Sequence, residues 1–593
     1  MLGGKLYIIL AAAAIGHVHS RDVNFRVISM STSVSVSVGG KTHQLTATSP
    51  DLPYFTGKVT VPDGDVKYNY VAGDFTEPFE RNLPASWSQT YNDLVNRSQT
   101  VVPLPPFPWP HDQDPQWKRQ SNPLPLFDHS FIPVIYVSAP QAAIDLLNVN
   151  LKGVVPGSVT FFYGDEYQTF ASANYSIHKD GKDYWAKRAL KIALLGDDSI
   201  NGRKYFKLRD LAEDPTYMRE VLYSNMLQAA GVGTPNVIHV RVYVNRVPMG
   251  LFALTDYTKI GSLQNIWENF AVSHFHGGKF DGQIVNWFDC GTGADFVYKG
   301  ENHTMYVGYE NDNPITWNEQ DLIPVFRELA NIKGSEPAAD AFVTNTFDVE
   351  SIMRSMVFEY LTGSWDGYWL SSSNFAIYKD PQTNKWFFIP QDFDLTWGLL
   401  TDLQIPALRY EAYEKAQGTI SNYSAPLITS LLQVPKYRTL FETRLKDTVQ
   451  RLFNPVAFNR RSNALHARLL EEVEWDLASP RLHPGKPNAW VVDDFRVGLE
   501  QTIDRGTWGH NFGMNVWVEG RARAVCEQFG IKWDEVPRDP PLNEHVNGVA
   551  PPSGPASGTN RQQDAATSSA SRAEDRPPTV FSDPLAVTKR AYF

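Results

Sequence analysis

The sequence has few cysteines and no excess of positive charge. Only Cys290 and Cys526 occur in 593 residues, and neither belongs to a C-x-x-C pair, which excludes a zinc site of that type. In an oxidising compartment the two thiols could form one disulfide, and the alternative is two buried thiols. The formal net charge of -11 argues against a general nucleic-acid binder.

Long apolar runs are missing beyond the N-terminus. Residues 1–20 contain a lysine, a short apolar core and then Val18-His-Ser20, which predicts a secretory signal peptide removed after about Ser20. The alternative, a retained signal anchor, is disfavoured because polar residues follow at once. No later run reaches the ~20 apolar residues of a membrane-spanning helix, and the C-terminus lacks the apolar stretch of a GPI signal. We therefore expect a soluble, secreted chain without a membrane span.

Four N-x-[ST] sequons agree with passage through a eukaryotic secretory pathway. They begin at Asn96, Asn174, Asn302 and Asn422. All four are candidate glycosylation sites, although each tripeptide also occurs often by chance.

The length and composition predict a folded α+β protein with several domains. Short strand-like runs within residues 21–100 predict a β-sandwich, whose aromatic side chains either stack on sugars or fill the core. Residues 101–122 are rich in proline and predict a semi-rigid connector between domains. Strands and then amphipathic helices follow over 123–536. From residue 537 onward apolar periodicity vanishes, which predicts a disordered tail.

One stretch, residues 365–398, concentrates polar side chains of chemical interest: WDGYWLSSSNFAIYKDPQTNKWFFIPQDFDLTWG. The runs NFAIYK and KWFFIP, separated by DPQTN, predict a β-hairpin. Asp366 precedes this hairpin, Asn374 opens it, and Asp392 and Asp394 follow it. Because antiparallel strands joined by a short turn bring their outer ends together, we expect these side chains to form a compact acidic site.

Such a site suits phosphoryl transfer, which needs metal ions on the phosphates and a carboxylate that orients the attacking hydroxyl. The order Asp366, Asn374, Asp392 is that of the catalytic Asp, the Asn and the metal-binding Asp of protein kinases. However, the chain has no H-R-D, D-F-G or upstream G-x-G-x-x-G motif. The alternative is a surface hairpin whose acidic residues only cap turns.

The same stretch resembles the signature of the CotH kinase family, atypical secretory protein kinases associated with spore coats. The upstream segments NGRKYFKLRDLAEDPTYMREVLYSNMLQAAGV and VRVYVNRVPMGLFALTDY resemble the same family, so the likeness covers roughly residues 150–400. It implies a fungal-type member with Asp366 as the catalytic Asp, Asn374 and Asp392 as metal ligands, and Asp394 as a further metal ligand. It also implies ATP with Mg²⁺ or Mn²⁺, and a kinase-like N-lobe (123–260) and C-lobe (261–536).

The candidate nucleotide-binding residues lie in the segment before residue 231. The runs ALKIALL and KYFKLR predict a second hairpin, and Asp214-Pro215 predicts the start of a helix. In a kinase, a helix in this position supplies an acid that pairs with a strand lysine, and Glu220 is the candidate acid. Lys207 and Lys191 are the candidate lysines. Two further lysines remain options: Lys187 and Lys204.

Two functions from different classes fit these observations. The first is a secreted atypical kinase that phosphorylates Ser or Thr of spore-wall or cell-surface proteins. The second is a secreted or cell-surface adhesin, an invasin-like ligand of a host-cell receptor that uses a kinase-like scaffold, as the family resemblance implies for fungal members. A glycosidase is disfavoured because Asp392 and Asp394 lie too close along one segment to flank a sugar.

Overall fold

The computed structural model describes eleven stretches of the chain: residues 19–111, 125–178, 185–200, 203–256, 287–311, 319–332, 337–400, 406–413, 424–487, 490–504 and 510–538. The architecture is mixed α+β, with most strands in the first half and most helices in the second. Residues 1–18, Asn422 and the tail from residue 539 lie outside the described stretches. Within the described stretches, no helix is both long enough and apolar enough to cross a membrane.

The first nine strands form a small β-sandwich, as expected from the sequence. They are β1 Ser20–Ile28, β2 Val34–Val38, β3 Lys41–Gln44, β4 Thr46–Ala47, β5 Tyr54–Pro62, β6 Val66–Ala72, β7 Phe75–Thr76, β8 Arg81–Leu83 and β9 Asp93–Leu94. One sheet has the order β4-β5-β1-β9; the other has the order β3-β2-β6-β7, with β8 paired to β6. In β2, VSVSV alternates between buried valines and partly exposed serines, and those valines share one core with Phe25 of the opposite sheet.

The next seven strands close into a barrel. They are β10 Val134–Ser138, β11 Val155–Tyr163, β12 Glu166–Ile177, β13 Leu190–Leu194, β14 Tyr205–Arg209, β15 Val237–Val244 and β16 Val247–Asp256. The order is β10-β11-β12-β13-β14-β16-β15, and a parallel pairing of β15 with β10 completes the circle. Alternate residues such as Leu190, Ile192 and Leu208 are buried in the barrel core. Lys191 and Lys207 therefore lie on the other side of their strands.

Two helices belong to this part of the chain: α1, Gln141–Asn150, and α2, Arg219–Ala229. Helix α1 buries Ile144 and Leu147 against the barrel. Helix α2 is buried along its whole length, and it begins at Arg219 and not at Asp214 as predicted. The reason is local: the Asp214 carboxylate accepts hydrogen bonds from the backbone N–H groups of Thr216 (2.8 Å) and Arg219 (2.8 Å), which closes a turn before the helix starts.

The remaining chain combines a four-stranded sheet with helices. The strands of this sheet are β17 Trp287–Cys290, β18 Tyr309–Asn311, β19 Phe375–Asp380 and β20 Lys385–Pro390, in the order β18-β17-β19-β20. A separate short pair consists of β21 Ile503–Asp504 and β22 His510–Asn511. The helices are α3 Ile323–Ala330, α4 Pro337–Thr346, α5 Val349–Thr362, α6 Tyr368–Ser371, α7 Pro426–Gln433, α8 Pro435–Arg451, α9 Pro455–Ala478, α10 Val492–Val497 and α11 Met514–Phe529. Short 3-10 turns lie at Pro125–Phe127, His303–Met305 and Glu319–Asp321.

The described half of the predicted connector, residues 101–111, is a packed element and not an exposed spacer. We call it the proline strap. Its Leu104 and Phe107 enter the main hydrophobic core, and Arg461 of α9 donates to the carbonyl oxygen of Pro105 at 2.8 Å. The apolar side chains between the prolines explain this packing, since their burial removes them from water.

One sequence-based expectation about side chains is wrong, and for another the structure decides between two alternatives. Cys290 and Cys526 do not form the predicted disulfide: both are free thiols, the first buried on β17 and the second partly buried on α11. Of the two alternatives for the sandwich aromatics, sugar stacking or a place in the core, Tyr54 and Tyr91 follow the second. They are buried, and Tyr54 packs against Phe162 of the barrel.

Candidate active site

The predicted hairpin forms and brings its outer ends together. Strands β19 and β20 pair with Phe375 opposite Pro390, and the backbone N–H of Gln391 then donates to the carbonyl oxygen of Asn374 at 2.9 Å. Asn374 and Asp392 both have a φ of 59°. Asn and Asp tolerate this left-handed conformation better than most residues, because their short polar side chains can bond locally. Strand β17 pairs with the other edge of β19, a contact that the sequence analysis did not predict.

Asp366 and Asn374 are in direct contact. The side-chain amide of Asn374 donates to Oδ2 of Asp366 at 2.8 Å and to its carbonyl oxygen at 2.9 Å. The amide nitrogen thereby fixes the direction of the carboxylate. Oδ1 of Asn374 is the atom of this side chain that could bind a cation.

A buried glutamate supports the loop that carries Asp366. Glu359 of α5 accepts hydrogen bonds from the backbone N–H groups of Tyr368 (3.1 Å) and Trp369 (2.7 Å), where α6 begins. Burial raises the pKa of Glu359 to about 8. A Cβ atom on Gly367 would lie 2.9 Å from Cδ of Glu359, so only glycine fits beside this carboxyl group. The sequence analysis missed Glu359, although a glycine directly after a candidate catalytic Asp was a signal.

Asp392 and Asp394 meet at one arginine that the sequence analysis also missed. Nη2 of Arg209 lies 2.5 Å from Oδ1 of Asp392 and 2.8 Å from Oδ2 of Asp394. Its Nε lies 3.5 Å from Oε2 of Glu220, and the same oxygen accepts the backbone N–H of Phe393 at 2.9 Å. We call these four charged residues, Arg209, Glu220, Asp392 and Asp394, the acidic cluster. Arg209 follows Lys207 by two residues, so both side chains lie on one side of β14. This spacing was the sequence signal that could have identified Arg209 as a site residue.

The acidic cluster has three carboxylates for one guanidinium. Although burial opposes the charged form, the negative charges of Asp392, Glu220 and Asp394 hold the pKa of Arg209 well above its ordinary value. Burial raises the pKa of Glu220 to about 7, and the nearby charges of Asp392 and Asp394 act in the same direction. The contact of Glu220 described here is with an arginine, Arg209, whereas its pairing with a strand lysine stays a prediction.

Lys191 and Lys207 are cross-strand neighbours on the side of the barrel that faces the acidic cluster. They pair directly in the β13–β14 register. Burial lowers the pKa of His178 to about 2, with further lowering by the charges of Lys207, Lys191 and Arg209, while the charge of Asp392 opposes the shift. Because one imidazole interacts with all of these groups, the two lysines and Asp392 belong to one neighbourhood.

The other two candidate lysines have structural roles. Nζ of Lys187 lies 2.8 Å from Oδ1 of Asp476 on α9, and both side chains are buried. Lys204 donates to the carbonyl oxygen of Gly196 at 2.6 Å and so closes its own hairpin turn. Neither of these contacts involves a residue of the acidic cluster.

The three sequons within the described stretches lie at or near the surface. Asn96 and Asn302 are exposed, and Asn174 on β12 is partly exposed. Oδ1 of Asn302 accepts a hydrogen bond from the hydroxyl of Thr304 at 2.9 Å. Glycosylation at these positions and at Asn422 stays a prediction.

Comparisons with known proteins agree with the resemblance found in the sequence. A family model described as CotH kinase protein matches residues 174–481. Invasin CotH3 of Rhizopus delemar is 33% identical over 567 residues, which cover 94% of this chain and 92% of that protein. Invasin CotH2 of the same fungus is 32% identical over 569 residues, 92% of this chain and 90% of that protein. Inner spore coat protein H of Bacillus subtilis is 21% identical over 286 residues, 48% of this chain and 72% of that protein. The chain therefore belongs to the CotH kinase family, and its similarity to the two fungal proteins extends over nearly its whole length.

Proposed function

We propose that the chain is a secreted atypical protein kinase that transfers the γ-phosphate of ATP to Ser or Thr of spore-wall or cell-surface proteins. The observation that carries this proposal is the convergence of Oδ1 of Asp392 and Oδ2 of Asp394 on a single positively charged nitrogen. Two carboxylate oxygens that approach one cationic atom this closely are arranged to hold a cation.

The donor set suits Mg²⁺ or Mn²⁺ held together with a nucleotide. Within the described stretches, no three or more His, Cys, Asp or Glu side chains are grouped as a metal site. Mg²⁺ usually takes one or two carboxylates and completes its shell with water and phosphate oxygens, so Asp392 and Asp394 are sufficient protein ligands. When bound, the cation supplies charge neutralisation on the phosphates.

The other residues have separate roles in this proposal. Asp366 orients the substrate hydroxyl, and Asn374 holds the carboxylate of Asp366 in place through the 2.8 Å hydrogen bond. Lys191 and Lys207 present positive charge on the barrel side of the acidic cluster, which favours the phosphates of ATP. Glu359 keeps the loop of Asp366 in position through two backbone hydrogen bonds.

Two substitutions separate binding from transfer. Asp392→Asn removes a ligand of the cation, so Mn²⁺-dependent ATP binding measured by isothermal titration should be lost. Asp366→Asn should leave that binding within about twofold and lower the rate of phosphate transfer from labelled ATP by about 10²–10⁴-fold. Asp22→Asn is the matched control, because Asp22 is an exposed sandwich residue paired with Lys58. Full transfer activity in both test variants would contradict the proposal.

A second function, an adhesin that binds a host-cell receptor, is favoured by the names of the two fungal relatives, both called invasins. In that case the acidic cluster only stabilises the fold. ATP with Mn²⁺ would not raise the melting temperature, and Asp392→Asn would bind host cells as well as the unaltered chain does. The kinase function instead predicts stabilisation by about 2.7 kcal/mol at 100 times the dissociation constant.

A further inference from the structure

A polar cavity lies where the β-sandwich meets the helical part of the chain. We call it the junction cavity. Its volume is about 240 Å³, and its walls come from the segment just after β9 and from helix α9. Drug-sized ligands need about 300–1,000 Å³, so this space suits a compact ligand. None of the acidic-cluster residues lines it.

A buried arginine of this wall has an unused donor. Arg97 is 4% exposed, its Nη1 donates to the carbonyl oxygen of Ile132 at 2.8 Å, and its Nε lies 2.9 Å from Oε1 of Glu472. Its Nη2 is buried without a hydrogen-bond partner. A buried donor of a charged group without a partner is costly, so Arg97, which lines the cavity, lacks an acceptor for one of its N–H groups.

The one buried carboxylate of this wall is already shared. Nε of Arg241 lies 2.5 Å from Oε2 of Glu472, so two arginines occupy its two oxygens. Arg468 is a third nearby cation; it lines the cavity and donates to the carbonyl oxygen of His129 at 2.5 Å. Burial lowers the pKa of Arg468 to about 10, although the negative charges of Glu472 and Asp128 oppose this shift.

Glu471 and Glu474 also line the cavity, but each carboxylate already has a partner. Glu471 accepts from the backbone N–H of Ser98 at 2.9 Å and from its hydroxyl at 2.7 Å. Glu474 pairs with Arg496 at 2.7 Å. Asp128, which also interacts with Arg468, accepts the backbone N–H of Ser130 at 2.8 Å. None of these contacts supplies the acceptor for Nη2 of Arg97.

We propose that the junction cavity binds a compact oxyanion, a phosphate or carboxylate group, through the guanidinium groups of Arg97 and Arg468. Guanidinium recognises both classes through paired N–H donors. The apolar side of the cavity, formed by Val102, Ile132 and Leu470, has room for a short carbon skeleton attached to that group. Because Arg97 follows the sandwich and Arg468 lies on α9, the anion joins the two parts. This site is independent of the kinase proposal.

The test measures binding of inorganic phosphate and of malonate to the full chain by isothermal titration, with chloride at matched ionic strength as the reference. We expect saturable binding of at least one of the two anions, and the stronger one identifies the ligand class. Arg468→Gln should weaken that binding at least about tenfold. Arg523→Gln is the matched control, since the Arg523 side chain is 57% exposed, pairs with Glu519, lies over the ring of Trp533 and does not line the cavity, so this variant should bind like the unaltered chain.

Phosphate could also bind the lysines that face the acidic cluster, and Lys207→Ala distinguishes the two places. Lys207→Ala should retain the binding that Arg468→Gln loses. Arg97→Gln should lose it too, but this variant also removes a partner of Glu472, so its folding is verified by circular dichroism first. Loss in Lys207→Ala with retention in Arg468→Gln would overturn the proposal. So would the absence of saturable binding by both anions to the unaltered chain.

Discussion

Two buried charge clusters of this chain have opposite compositions. In the acidic cluster three carboxylates surround Arg209, whereas beside the junction cavity three arginines, Arg97, Arg241 and Arg468, surround Glu472. Glu220 and Glu472 are equally buried, at 3% and 2% exposure. Burial raises the pKa of Glu220 to about 7, yet the pKa of Glu472 is lowered to about 2: burial opposes that shift, but the arginine charges outweigh it.

Because Glu220 and Glu472 are equally buried, the comparison teaches that the neighbouring charges, and not burial, make the difference between their pKa values. Desolvation acts against the charged form at both positions. Where arginines outnumber carboxylates, the glutamate stays ionised and holds elements together. Where carboxylates outnumber arginines, the glutamate is easily protonated, and the cluster gains from an added cation.

The largest expected effect is on the free energy of unfolding when Glu472 is replaced. Glu472→Gln should lower the free energy of unfolding by about 3–5 kcal/mol, because it leaves Arg97 and Arg241 buried without a countercharge. Glu220→Gln at pH 7.5 should change stability far less, since it removes one of three mutually repelling carboxylates. Chemical denaturation of the two variants gives the comparison directly. Equal losses would show that the charge ratio does not govern these sites.

The second effect is on the pH dependence of stability. Glu220 has a folded pKa above its ordinary value of 4.5, so its contribution is fully present below pH 4.5 and is lost as the pH rises through about 7. Glu472 has a folded pKa below 4.5, so its contribution is present above pH 4.5 and is lost as the pH falls toward 2.

Melting curves between pH 3 and pH 8 measure both contributions. Glu220→Gln should flatten the decline between pH 5 and pH 7, and Glu472→Gln should flatten the decline below pH 4.5. If each variant retains the slope of the unaltered chain in its own interval, the assigned pKa directions are wrong.

The smallest effect concerns cation binding at the acidic cluster. Arg209→Met removes the positive charge that Asp392 and Asp394 share, so Mn²⁺ should bind about tenfold more tightly in the absence of nucleotide. Arg209→Lys keeps the charge and should bind Mn²⁺ like the unaltered chain or only slightly more tightly. Electron paramagnetic resonance of unbound Mn²⁺ measures this. Weaker binding in Arg209→Met would mean that the arginine organises the carboxylates for the cation and does not compete with it.

Local patterns in the sequence predicted the hairpin of β19 and β20 and the meeting of its outer ends. Both depend on alternating apolar residues and a short turn, which are encoded within about 25 residues. Apolar periodicity likewise predicted amphipathic helices within residues 123–536, the range in which α9 and α11 lie. The β-sandwich also followed, because its strands are short and regularly spaced.

The partners of the charged side chains could not be predicted. Arg209 meets Asp392 and Asp394 across more than 180 residues of chain, and no local pattern states which of several nearby cations a folded chain selects. The burial of Phe107 within a proline-rich segment, and the separate positions of Cys290 and Cys526, depend on tertiary packing in the same way. The sequence therefore predicted the elements and the acidic residues, and the structure added their counterions.

The closed seven-stranded barrel limits how an extended polypeptide could be captured beside Lys191 and Lys207. Strands β13 and β14 each have neighbours on both sides, so their backbone N–H and C=O groups are already paired within the barrel. An incoming peptide has no strand edge there on which to add as an eighth member. In the proposed kinase function, selection among substrate proteins at this face must therefore come from side chains and loops, which can diverge between related chains without altering the barrel itself.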